Sequence, residues 1–97
     1  MRTEKHYYVY ILMNKWKTTS YIGITSNLSG RIWQHKQKEV EGFTQKYNLD
    51  NLVYYEVFGT PLDAIAREKE LKGWSRRKKV NLIQKTNPTL KDLSFNL

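Results

Sequence analysis

Five residues of this chain have types and spacings that could do chemistry together. Tyr10 and Tyr21 stand eleven residues apart, Arg31 and His35 stand four apart, and Glu68 falls inside an apolar helical pattern. Phenols, a guanidinium, an imidazole and a carboxylate are the groups that hydrolysis of a phosphodiester would use. A guanidinium offsets the charge that develops on the phosphate. A phenol has a pKa of about 10, so a tyrosine acts as a base only beside cations or a metal. Each residue also has an ordinary explanation: strand aromatics for the tyrosines, a solvated helix residue for Arg31, a core histidine for His35, a structural partner of Arg31 for Glu68. Convergence on one face of a small sheet is what would make them a site.

The elements that must position them are legible in the hydrophobic pattern. Residues 7–13 (YYVYILM) and 21–25 read as strands joined by the polar, turn-like stretch 14–20, and the short connection predicts an antiparallel hairpin. Gly23 inside the second strand marks a bulge or a close backbone approach. Asn27 is the expected N-cap of a helix over 28–38, whose stripe Leu28, Ile32 and His35 puts Arg31 one turn before His35. A loop is expected over 40–48. Residues 52–58 form the apolar run expected at the centre of the sheet. Thr60 as N-cap, Pro61 at the first helical position and Asp63 open a second helix over 62–72, with Ala64, Ile65 and Leu71 as its apolar stripe. Glu68 lies in that stripe, and Glu70 points away. A carboxylate there costs several kcal/mol, roughly, unless a cation or donors meet it. Residues 73–75 break the pattern, a third helix follows over 75–85, and residues 89–97 form a tail.

Composition limits the function classes. Ninety-seven residues suffice for one domain, which would bury roughly 60–70% of the surface its unfolded chain exposes. A net charge of +8 in so short a chain points first to a polyanionic partner, above all nucleic acid. Without cysteine there are no disulfides or thiolate metal sites. The polar N-terminus does not resemble a signal peptide, and no apolar run approaches the ~20 residues of a membrane span, so a cytoplasmic protein without membrane contact is expected. The basic run Arg76, Arg77, Lys78, Lys79 is a solvated face or a phosphate-tracking patch, with Trp74 beside it to stack or pack.

In their order and spacing these residues resemble the GIY-YIG domain family. Tyr8-Val9-Tyr10 stands at its first motif, and Tyr21-Ile22-Gly23 is its second motif verbatim. Leu28, Arg31 and His35 match its helix signature, and Ala64, Glu68, Leu71 and Lys72 its glutamate helix. The resemblance covers about residues 6–95, leaving residues 1–5 as a polar N-terminal segment, and is nearest to small stand-alone members. It implies an α/β fold in which a three-stranded antiparallel sheet is flanked by three helices. It also implies a one-metal nuclease site. Glu68 would hold a single divalent cation, Mg²⁺ or Mn²⁺, and Arg31 would contact the scissile phosphate. Tyr10 and Tyr21 would position or deprotonate the attacking water, and His35 would assist. Such a cation keeps most of its waters, so a lone carboxylate suits it.

The chain departs from the family pattern at several positions. Tyr8 replaces the first-motif glycine, Ile24 stands where repair-type members carry lysine, and Gly30 stands where relatives carry a second basic residue. Lys46 is the candidate replacement for the missing lysine in contacting nucleic acid. Asn81 and Asn87 both match the family's late asparagine. The expectation is metal-dependent hydrolysis of nucleic acid, DNA ahead of RNA. Its rivals are a nucleic-acid-binding module that does not cut and a protein-interaction adaptor on the same scaffold. Oligomeric state is not legible.

Overall fold

The computed structural model describes residues 5–39 and 42–97; residues 1–4 of the expected N-terminal segment and Val40 and Glu41 of the expected loop lie outside them. The elements run β1 (Tyr7–Met13), β2 (Ser20–Thr25), α1 (Leu28–Lys36), α2 (Phe43–Lys46), β3 (Asn51–Phe58), α3 (Pro61–Lys72) and α4 (Arg76–Gln84), with a 3-10 turn at Ser94–Asn96. The three expected helices are α1, α3 and α4. The short α2 lies within the stretch read as loop. It is four residues long and its cap, Gly42, offers no side chain, so the usual start signal is missing.

The sheet is antiparallel in the order β2-β1-β3. The centre is therefore β1, correcting the expectation that β3 would lie there. Val9 to Met13 are all at most 1% exposed, because β1 is paired on both sides and covered on both faces. The run in β3 is dense for another reason. Ile11 pairs with Tyr54 and Leu12 with Leu52, so Val53 is the extra residue of a bulge. Val53 and Tyr54 then pack on the same face, and farther along Tyr55 and Val57 are exposed.

Alternation along β1 divides the core in two. Val9, Ile11 and Met13 pack with Ile22, Val53, Ala64, Leu71 and Ile83 beneath α3 and α4. Tyr10 and Leu12 pack with Leu28, Ile32, Leu49 and Leu52 beneath α1. The stripe of α3 is narrower than expected, since Ile65 is exposed. At 3.6 residues per turn it stands about 100° round the helix from Ala64, whereas positions 64, 68 and 71 share the inner face.

Two polar side chains fasten the tail. Asn87, 1% exposed, donates from Nδ2 to the Val53 carbonyl at the bulge (3.0 Å) and to the Lys91 carbonyl (2.8 Å), and its Oδ1 accepts from the Lys91 amide. Asp92 accepts from Lys36 Nζ on α1 (2.6 Å), from the Leu52 amide on β3 (3.1 Å) and from the Ser94 amide. The tail is packed. No helix among the described residues is long and apolar enough to cross a membrane.

Candidate active site

The β1–β2 register sets the tyrosines. Tyr10 pairs with Gly23 and Leu12 with Tyr21, so Tyr10 and Tyr21 are diagonal neighbours on one face, ring centroids 6.4 Å apart. Gly23 is the close approach that its place in a strand suggested. A Cβ built there would lie 2.4 Å from Cζ and from the hydroxyl oxygen of Tyr10. The missing side chain is the space that the phenol fills.

The helix α1 supplies the other groups. Asn27 caps it, accepting from the Gly30 amide at 3.2 Å, and Leu28, Ile32 and His35 face inward. A Cβ on Gly30 would lie 2.3 Å from Nδ2 of that capping side chain, so a larger residue there would require the cap to shift. The Tyr10 hydroxyl lies 3.3 Å from His35 Nε2, and the His35 ring lies 6.1 Å from that of Tyr21.

Burial holds both partners of this hydrogen bond neutral. It pushes the His35 pKa down to about 4, helped by the Arg31 cation and opposed by Asp50. Burial also raises the Tyr10 phenol above its ordinary value. Arg31 pulls it down, and the charge of Glu68 pushes it up. With Arg31 facing the phenol oxygen, the O–H is best placed to donate to Nε2, leaving the ring proton on Nδ1. His35 Nδ1 is buried without a hydrogen-bond partner among the described residues.

Arg31 is half-buried, faces the Tyr10 phenol oxygen and donates to Gln34 Oε1 at 3.4 Å; no carboxylate pairs with it among the described residues. It forms a wall of an open groove of about 270 Å³ with Ile24, Thr25, Gly30 and Gln34. Gln34 was not singled out in the sequence, and the signal was its place three residues after Arg31 on the same helix face. Glu68 is near enough to Tyr10 for its charge to act on the phenol. Its side chain is 16% exposed, with one ion pair among the described residues, a loose 3.5 Å contact to exposed Lys72. Glu70 is exposed and bonded to Arg67, as its outward position implies. The fold thus brings Tyr10, Tyr21, Arg31 and His35 together, and Glu68 on α3 acts on the Tyr10 phenol through its charge.

The family model described as the GIY-YIG catalytic domain matches residues 6–81. The chain belongs to the GIY-YIG family. A UPF0213 protein of Staphylococcus saprophyticus is 36% identical over 80 residues, covering 82% of this chain and 95% of that one. A UPF0213 protein of the archaeon Haloquadratum walsbyi is 32% identical over 79 residues, covering 81% and 88%. The solution NMR structure of a UPF0213 protein from Bacillus halodurans superimposes with a TM-score of 0.57 at 30% identity, covering 90% of this chain and 92% of that one.

Within this GIY-YIG domain, Glu68 fits a hard cation that keeps its own waters: a half-buried carboxylate with a displaceable ammonium beside it. The described residues contain no group of three or more Asp, Glu or His that could cage a metal without such waters. The outlying basic residues are apart from this cluster in their contacts. Trp74 is half-buried, its ring flanked by Arg67 (5.2 Å) and Lys78 (4.2 Å). Arg76 donates to the carbonyls of Lys17 and Thr18, tying α4 to the β1–β2 turn. Arg77 is exposed and Lys79 half-exposed on α4, and Lys46 is exposed at the end of α2, over the ring of Tyr47.

Proposed function

We propose that this domain hydrolyses phosphodiester bonds of nucleic acid with one divalent cation, as a stand-alone unit spanning residues 6–95. The observation that carries the reading is that a guanidinium without a carboxylate partner, Arg31, and a carboxylate with only a loose ammonium contact, Glu68, both act on one phenol, Tyr10. Arg31 holds the scissile phosphate through its planar donor fork and offsets charge as the phosphorus is attacked. Glu68 holds Mg²⁺ or Mn²⁺, which when bound supplies Lewis-acid stabilisation of the leaving oxygen.

The two tyrosines divide the work. Tyr10 is sealed from solvent, and its raised pKa keeps its proton on, so it positions the site through His35 and Arg31. Tyr21 is only half-buried and is the phenol that meets the attacking water. His35, with a pKa near 4, is too weak a base to take a phenol proton and acts by orienting Tyr10. Arg77, Lys78, Lys79 and Lys46 add phosphate contacts and salt-dependent affinity. A cytoplasmic location goes with this reading.

Cleavage of duplex, single-stranded and branched DNA and of RNA, with Mg²⁺ and with Mn²⁺, tests it. Arg31→Ala and Glu68→Gln should each lower cleavage by about 10²–10³, and Tyr21→Phe more than Tyr10→Phe. Unchanged cleavage in the Arg31 and Glu68 variants would overturn the assignment. The neutral, buried Tyr10 favours one second reading, a nucleic-acid-binding module that does not cut. Salt-sensitive binding without cleavage under every metal condition would select it.

A further inference from the structure

The β1–β2 turn carries a tryptophan that neither the fold nor the proposed chemistry uses. Trp16 is 64% exposed, whereas Trp74 packs on the core. The turn beneath it is firmly built. Asn14, 6% exposed, accepts from the Thr18 and Thr19 amides and donates to Thr18 Oγ1 at 2.8 Å. Arg76 fastens the Lys17 and Thr18 carbonyls from the other side. An exposed indole on a held turn presents a preformed flat surface.

That surface is one wall of a cleft of about 230 Å³ lined by Lys15, Trp16, Lys38, Asn48 and Asp50. Lys15 Nζ lies 4.7 Å from the Trp16 ring centre, and Lys38 pairs with Asp50 at 3.3 Å. With its amide oriented by its neighbours, Asn51 donates to Asp50 Oδ1 (3.3 Å) and accepts from Lys17 Nζ (3.2 Å). Asp50, the one carboxylate lining the cleft among the described residues, is thus covered, and Lys15 and Lys38 in its lining, with Lys17 on the neighbouring Asn51, leave the cleft cationic. An aromatic face with lysines around it matches a nucleobase and its flanking phosphates. A paired base has its face stacked in the duplex; an unpaired one is free to take the indole.

The cleft adjoins the catalytic cluster. Lys38 follows His35 by three residues, and Asp50 acts electrostatically on His35. Arg31 lies within α1, and Lys38 stands two residues beyond the end of that helix at Lys36.

Resting on the nuclease reading above, we infer that the Trp16 cleft is a subsite for an unpaired nucleotide flanking the phosphate held by Arg31, so that the substrate is a strand with an unpaired stretch near the cut. Equilibrium binding without metal tests it, using labelled 12-mer single strands of DNA and of RNA against a duplex of the same sequence. Trp16→Ala should weaken single-strand binding about tenfold or more relative to duplex binding, and Trp16→Phe should restore most of it. Lys15→Ala should reduce the salt slope by about one, and Trp16→Ala should leave that slope intact. DNA and RNA losing equally would assign the site to bases in either strand; loss in one alone would assign it to that strand. An unchanged single-strand to duplex ratio in Trp16→Ala overturns the subsite and leaves the nuclease reading standing. A wild-type protein that binds no strand at low salt overturns both. Tight stacking on Trp16 without cleavage under any metal overturns the nuclease reading and keeps the subsite.

Discussion

The Tyr10 ring occupies the volume that a side chain at Gly23 would need, 2.4 Å from the nearest ring atom to the position of a Cβ. The second-motif glycine and the first-motif tyrosine are therefore one packing unit across the β1–β2 ladder.

Gly23→Ala should displace the Tyr10 ring, with a cost of about 1–3 kcal/mol for overpacking a filled site. A companion Tyr10→Leu change should relieve part of it, so that the double variant is more stable than the two single losses added together. Urea denaturation of the four proteins reads this directly. Strict additivity would mean that the contact is not what constrains Gly23.

Acid should weaken the fold in a window set by His35. Its folded pKa of about 4 lies below its ordinary 6.5, so between those values the unfolded chain binds a proton that the folded one refuses. Stability is then full above about pH 6.5 and falls as the pH drops towards 4, by up to about 1.4 kcal/mol per pH unit. Glu56 and Asp92 have lowered carboxyl pKa values and add their own loss farther down, as each is protonated. Denaturation midpoints at pH 7.5 and 5 should differ in the wild type and converge in His35→Phe. Equal pH sensitivity in both proteins would move the effect to another group.

Asn87→Ala should cost about 2–3 kcal/mol, because it strips a buried donor from the Val53 and Lys91 carbonyls at once. Asn81→Ala, at an exposed position, should stay within about 0.5 kcal/mol of the wild type. Thermal melting of the two variants side by side decides which asparagine serves the fold.

Much of this was legible from residue order because the local rules agree with the final packing. Asn27 and Thr60 cap where their types predict, and the Leu28–Ile32–His35 stripe is the buried face of α1. The misreadings have physical causes. The run in β3 looks central because the bulge packs Val53 and Tyr54 on one face, and no pattern rule counts a bulge in advance. Ile65 looks like core because it neighbours Ala64 in sequence, although a helix turns it outward. The pairing of Tyr10 with Gly23 depends on a register that the turn sets, so sequence could suggest a close approach but not name the ring that makes it. Trp16 sits in a stretch whose polar neighbours read as a turn, and only exposure on a rigid loop distinguishes it.

The family match ends at residue 81, yet three attachments lie beyond it: Ile83 in the α3–α4 core, Asn87 on the bulge, and Asp92 bridging β3 to Lys36 on α1. A domain cut at the motif boundary would keep the candidate site residues and lose Asp92, which ties α1, the helix that carries Arg31, to β3. The packed structure is larger than its signature, and its last residues brace the helix of Arg31 from outside the candidate site.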